Sequence, residues 1–232
     1  MRGRSLLITA LLLAALSASA QEPLRPERRQ ELWLSVAATG RLPGFLKDPL
    51  GDRYKRFRLR AELGYRSADV FFAGRQTYLD VNLRYKAASW LNVAFEHRFA
   101  ARSAQTGLRH RSILQAEASH EIDRFTGEYR FVYQHTYIPF GGQREVLRNR
   151  FRLGYDFRKW KLDPEVSVEF FTWAGYKGWS YFGTRWSVGT SYAFSKAHSL
   201  SAALVHDRER DIAWPTHRWI ASVTYGLSLR DL

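Results

Sequence analysis

Between Arg56 and Arg66 the chain alternates strictly. Phe57, Leu59, Ala61, Leu63 and Tyr65 fall on one face, and Arg56, Arg58, Arg60, Glu62, Gly64 and Arg66 fall on the other. A period of two belongs to a β-strand, because successive side chains point to opposite faces. Wound into a helix, the same residues would scatter charge over every face. The pattern recurs over Gln76–Lys86, Leu91–Ala100, Arg109–Glu121, Phe125–Tyr137, Leu147–Arg158, Pro164–Trp173, Phe182–Phe194, Ser199–Asp207 and Arg218–Leu229. Many of these runs are about twice the five or six residues common in soluble strands.

The stretches between the runs differ in length. Lys86–Ser89, Ile122–Arg124, Lys159–Leu162 and Ser195–His198 are tight, whereas Ser67–Arg75, Ala101–Leu108, Ile138–Val146, Ala174–Tyr181 and Arg208–His217 are longer. Short turns at one end and longer loops at the other characterise transmembrane barrels. The expected fold is therefore all-β: an antiparallel up-and-down transmembrane β-barrel of about ten strands, with twelve as the alternative. Ten strands with periplasmic tight turns start and finish in the periplasm. On that parity the short candidate strand Glu31–Ala38 becomes an accessory segment of an amino-terminal leader, residues 21–55, and the barrel spans residues 56–232. Gly40–Asp52, with Pro43 and Pro49, is expected to be a loop.

Ahead of the leader, Met1–Ala20 reads as a secretory signal peptide. Arg2 and Arg4 form the positive segment, Leu6–Leu16 the apolar segment, and Ala18-Ser19-Ala20 an A-x-A cleavage site. No apolar run reaches the roughly 18 residues that a membrane helix needs. Cysteine is absent from the 232 residues, which removes disulfides, thiolate nucleophiles and cysteine metal sites. The net charge of +14 suggests nucleic acid at first sight. Its arginines, however, alternate with apolar residues inside strands instead of clustering on a loop or helix, so nucleic acid is not the expected partner.

Alternation alone does not say which face meets water. Strand length, export and the crowding of aromatics at strand ends (Trp90, Trp160, Trp173, Trp179, Trp214, Trp219, Tyr65, Tyr85 and Tyr137) favour an apolar exterior with interfacial girdles. The lumen is then lined by Arg58, Arg60, Glu62, Asp80, Arg84, Glu96, Arg98, Glu117, Glu128, Arg130, Arg150, Arg152, Asp156, Glu165, Glu169 and Arg185. So many charges must be paired or hydrated. They form either a charge-paired lattice that fills the lumen or a narrow pore with a basic bias.

With those residues laid out, the chain resembles the outer-membrane barrel family catalogued as domain of unknown function 2490. The resemblance rests on Leu32-Trp33, Arg60-x-Glu62-x-x-x-Arg66, Leu79–Tyr85 and Leu91–Arg98. It continues through Leu147-Arg148-Asn149-Arg150-x-Arg152-Leu153-x-Tyr155, Glu165–Phe171, Arg185–Tyr192 and Ile220–Tyr225. It implies a barrel in the outer membrane of a Gram-negative bacterium, with no assigned activity and no catalytic residues to transfer. This chain departs from the pattern at its longer Gly40–Arg53 loop and at its terminal Leu232. The partners expected are outer-membrane lipid, lipopolysaccharide and the barrel assembly machinery.

One enzymatic hint remains. His110 and Ser112 lie two apart on one strand face, where a base and a serine nucleophile of an outer-membrane lipid hydrolase would sit. The outward residues of the flanking strands supply no carboxylate or amide to orient the base. The histidines have no metal-binding spacing, and neither metal nor cofactor is expected. The leading expectation is a structural barrel or narrow solute pore with a basic bias. A lipid A or phospholipid hydrolase using Ser112 and His110 is the alternative. A soluble periplasmic β-barrel that binds apolar ligands is the third reading, and it would turn every strand inside out.

Overall fold

The computed structural model describes residues 26–69, 71–102, 108–138, 142–158, 161–175, 178–210, 212 and 214–229. The signal-peptide reading of Met1–Ala20, the first residues of the leader, and Trp160 lie outside them. Eleven strands make one closed barrel. They are β1 (Glu27–Gly40), β2 (Phe57–Ser67), β3 (Gly74–Lys86), β4 (Leu91–Arg102), β5 (Leu108–Ile122) and β6 (Phe125–Ile138), then β7 (Gly142–Tyr155), β8 (Leu162–Gly175), β9 (Gly178–Ala193), β10 (His198–Glu209) and β11 (Thr216–Ser228). Each pairs antiparallel with its sequence neighbour, and β1 closes the barrel by running parallel to β11 from Glu27↔Thr216 to Thr39↔Ser228.

The ten alternating runs of the sequence are β2–β11. The accessory segment of the leader is corrected: it is a stave of the wall, hydrogen-bonded along both edges. The reason is edge chemistry. Ten strands joined by parity alone would leave β2 and β11 to close on each other, whereas β1 supplies a 14-residue edge that satisfies both. The barrel therefore begins at residue 27 instead of 56. The connection that follows β1 is partly helical, with a 3₁₀ turn at Gly44–Leu46, one α-helical turn at Lys47–Leu50 and a 3₁₀ segment at Gly51–Arg56.

β1 begins at one end of the barrel, the amino end, and β11 stops at the other, the carboxy end. The length asymmetry expected of the connections is smaller than the sequence suggested, because the strands extend into the longer loops. By the strand bounds, every connection runs between two and six residues except 41–56, which lies at the carboxy end. Two hairpins carry a register shift, between Arg66 and Ser67 and between Phe171 and Thr172. At the first, the Ser67 hydroxyl accepts a hydrogen bond from the Leu32 N–H of β1 at 2.7 Å, so the irregularity serves the seam.

The apolar face of the wall points outward and the charged face inward. Val36, Leu63, Leu114, Val188 and Leu204 are 54–63 % exposed on the outer surface, while Glu31, Glu169 and Asp207 are 0–3 % exposed within. That arrangement leaves the aromatic set outside and so removes the apolar ligand-binding core that the third reading assigned to it. Aromatic pairs gather outside near the carboxy end, including Phe57–Tyr85, Phe125–Tyr155 and Tyr192–Phe194. Trp90, Trp179, Trp214 and Trp219 are exposed. Trp173 departs from the expected girdle. After the β8 register shift it stacks on Phe182 at 4.6 Å and lies under Arg144, whose guanidinium is 4.0 Å from the ring centroid.

Candidate functional site: a charged lumen in two chambers

The inward faces of β2–β9 bring most of the sequence-predicted residues to one cavity of about 790 Å³ toward the carboxy end. Arg58, Arg60, Glu62, Asp80, Arg84, Glu96, Arg98, Glu117, Glu128, Arg130, Arg150, Arg152, Glu165 and Arg185 line it. Glu169 sits behind this lining as a buried hub, 2.8 Å from Arg148, 3.7 Å from Arg185 and 4.0 Å from Arg130. Asp156 does not join them. It follows the last residue of β7, is exposed, and donates its backbone N–H to the Arg124 carbonyl. The alternation was carried one residue beyond the strand.

Pairing across strands makes the lattice. Glu128 holds both Arg150 and Arg152, and Arg152 also reaches Glu165 at 3.0 Å. Arg98 and Asp80 form a two-pronged pair between β4 and β3. Arg84 meets Glu117 at 3.4 Å, and Arg60 meets Glu62 at 2.6 Å. The parallel seam has its own knot. Glu31 of β1 takes two hydrogen bonds from Arg75 at 2.8 and 2.9 Å and one from the Trp33 indole at 2.9 Å. Asp207 of β10 accepts from Arg185 and Arg218, each at 2.8 Å. Glu31, Arg75, Asp207 and Arg218 were not among the predicted lumen residues. Glu31 fell in the supposed leader; Asp207 closes one of the last two runs and Arg218 opens the other, where the alternation was read for its apolar face.

A second cavity of about 260 Å³ lies at the amino end, and its lining differs in charge. Eight arginines face two carboxylates, Asp207 and Glu209. Around the larger cavity eleven arginines face six carboxylates. Arg66, Arg98, Arg111 and Arg185 line both cavities and mark the boundary between them. Arg66 and Arg185 flank Trp33, at 3.9 and 5.2 Å from its ring centroid, and Arg98 covers Tyr78 at 3.9 Å. Such stacking holds guanidinium planes in place without neutralising them. Tyr78 in turn lies over Gly64, where any Cβ would overlap its ring.

The hydrolase candidates lie on the outer surface toward the amino end. Ser112 Oγ is hydrogen-bonded at 3.0 Å to Nδ1 of His97, its cross-strand partner on β4. His110, the base expected from sequence, instead packs its ring against His97 and Phe99 at 5.8 and 5.3 Å. On the other side Ser112 is opposite His135, and His135 is 3.5 Å from Glu145 of β7. Glu145 falls in Ile138–Val146, a stretch expected to be a connection, so alternation did not place this carboxylate on a face. Ser112 is paired on both edges of β5, so backbone N–H groups around it are committed to the sheet and do not form an oxyanion hole.

Among the described residues no group of three or more His, Asp or Glu side chains is placed to hold a metal ion. No helix is long and apolar enough to cross a membrane, which says nothing of crossing by strands. A family model described as "Protein of unknown function (DUF2490)" matches residues 30–216. No curated protein matches the chain.

Proposed function

The chain belongs to the DUF2490 family of proteins of unknown function, and from that premise we propose that it is an outer-membrane β-barrel whose lumen is a narrow path for small anions. The observation that carries this reading is the arginine excess along both lumen cavities. The outward apolar surface supports the membrane setting. A strand of eleven residues rises about 36 Å, or roughly 25 Å when tilted as in such barrels, which matches the hydrocarbon layer. Inside, most of the carboxylates are tied to arginines (Glu96 takes a hydrogen bond from Asn82 instead) and the surplus positive charge faces the water. Passing anions are attracted and cations repelled. The four arginines between the cavities restrict passage to small ions.

The test is single-channel recording of the detergent-purified, folded protein in a planar bilayer under a potassium chloride gradient. The expected result is a small conductance with a reversal potential on the chloride side. A folded protein that inserts but passes no current, or one that prefers potassium, overturns the reading.

A second reading is favoured by the Ser112–His97 hydrogen bond: a lipid hydrolase on the outer surface, acting on lipid A or phospholipid. Ser112 would be the nucleophile and His97 the base, with His110 packed behind it. The base has no carboxylate partner among the described residues, and the strand offers no free donors for an oxyanion. Ser112→Ala is therefore expected to leave fatty-acid release from lipid vesicles or lipopolysaccharide unchanged. Release by the parent protein that the substitution abolishes would establish the enzyme instead.

A further inference from the structure

The amino-end chamber is more than a stretch of basic wall. Two register rows cross it. In one, Arg66 of β2, Gln76 of β3 and Arg102 of β4 are successive cross-strand partners. In the other, Arg98 of β4, Arg111 of β5, Thr136 of β6 and Arg144 of β7 are successive partners. Arg98 is directly opposite Arg111, and like charges in that position destabilise a sheet. Arg98 is neutralised by Asp80. Arg66, Arg102, Arg109, Arg111 and Arg144 have no ion pair with a carboxylate among the described residues. The buried Nε atoms of Arg66, Arg109, Arg111 and Arg144 have no hydrogen-bond partner there either.

Among the described residues of the connections at this end, the one carboxylate, Asp69, pairs with Arg29 instead. Five guanidinium groups thus converge on about 260 Å³ with Gln76, Gln134 and Thr136 as neutral company. Stacking fixes two of them in place, Arg66 on Trp33 and Arg144 on Trp173. Planar, fixed forks of donors around a small space suit tetrahedral oxyanions, which accept two hydrogen bonds from each guanidinium.

We propose that this chamber is a binding site for a small multivalent phosphate anion, of the size of pyrophosphate or a phosphomonoester, held by Arg66, Arg102, Arg109, Arg111 and Arg144. The ligand comes from water, because the chamber is inside the wall and acyl chains are outside it. The inference rests on the reading of the lumen as an anion path only in that the chamber must be open to solvent. It does not require the path to continue through the second cavity.

The experiment is calorimetric titration of the folded, detergent-solubilised full chain with inorganic pyrophosphate, against sulfate and chloride at matched ionic strength. Lipopolysaccharide in mixed micelles forms a separate arm. Saturable 1:1 binding of pyrophosphate is expected, weakened at least about tenfold by R66Q/R111Q, since each charge-assisted fork removed costs one or more factors of that size. The single variant R109Q, which leaves the boundary arginines intact, is expected to weaken it in the same direction. The pair R58Q/R60Q in the other cavity is expected to leave it unchanged. Retention of the heat-dependent mobility shift on a denaturing gel establishes that each variant is folded. Binding of chloride and sulfate as tight as pyrophosphate, binding that R109Q and R66Q/R111Q do not alter, or a response to lipopolysaccharide alone overturns the proposal. An inactive channel that binds pyrophosphate ends the conduction reading and leaves the site; a conducting channel that does not bind it does the reverse.

Discussion

At the scale of single residues, the lumen is a contest between the cost of taking charge out of water and the gain from pairing it. Glu31 is the sharpest case. Its side chain is fully buried, and Arg75, Trp33 and Arg218 surround it. Removing one partner of a buried pair costs about 3–5 kcal/mol, because the other charge is left without compensation. Glu31→Gln is therefore expected to lower the temperature at which the barrel loses its compact gel mobility, by many degrees. Glu27→Gln, which touches only the exposed Arg29 pair, is expected to leave it unchanged. An equal response of the two variants would remove Glu31 from the seam. The same contest explains what could be read from sequence. Arg58, Arg60, Glu62, Asp80 and Arg84 declare their face by alternation alone. Which of them find partners depends on cross-strand register, and a single sequence does not contain it. The opposition of Arg98 to Arg111, from which the basic chamber follows, became visible only when β4 and β5 were paired.

At the scale of elements, β1 is the instructive strand. Leu32, Leu34 and Val36 against Trp33 and Ser35 is a good period of two, but the run is short and follows a charged leader. Its full length, Glu27–Gly40, includes Glu27, Arg28, Arg29 and Gln30, which turn-and-run reading discards. Parity then argued against it, since an even antiparallel barrel has no place for an eleventh stave. A parallel closure escapes that argument. Its hydrogen bonds are evenly spaced and slightly weaker per residue than antiparallel ones, and the Ser67–Leu32 bond and the Glu31 knot add to them. The seam can be tested directly in a chain without cysteine. Ser35 Oγ and Thr224 Oγ1 are 2.8 Å apart across it. Ser35→Cys combined with Thr224→Cys is expected to form a disulfide on mild oxidation, and the cross-linked barrel should keep its compact mobility to a higher temperature. Two thiols that each react fully with maleimide and never cross-link would mean that β1 does not close the wall.

At the scale of the whole molecule, the odd strand count has a geometric result that no local change can undo. β1 starts at the amino end and β11 stops at the carboxy end, so the two ends of the described chain are on opposite sides of any membrane the barrel spans. The helical connection 41–56 is on the side where β11 finishes, and Trp214, between β10 and β11, is on the side where β1 begins. Both Lys47 and Trp214 are exposed. Lys47→Cys and Trp214→Cys, made singly in the cysteine-free chain, are therefore expected to behave oppositely in intact cells. If the barrel spans the outer membrane as proposed, a membrane-impermeant maleimide should label one and spare the other until that membrane is opened. Which of the two is labelled assigns the direction of the barrel. If Trp214→Cys is the one labelled, the basic chamber opens to the outside and samples external phosphates; if Lys47→Cys is, the chamber opens to the periplasm. Labelling of both in intact cells is incompatible with the nine strands, β2–β10, that cross between the two positions.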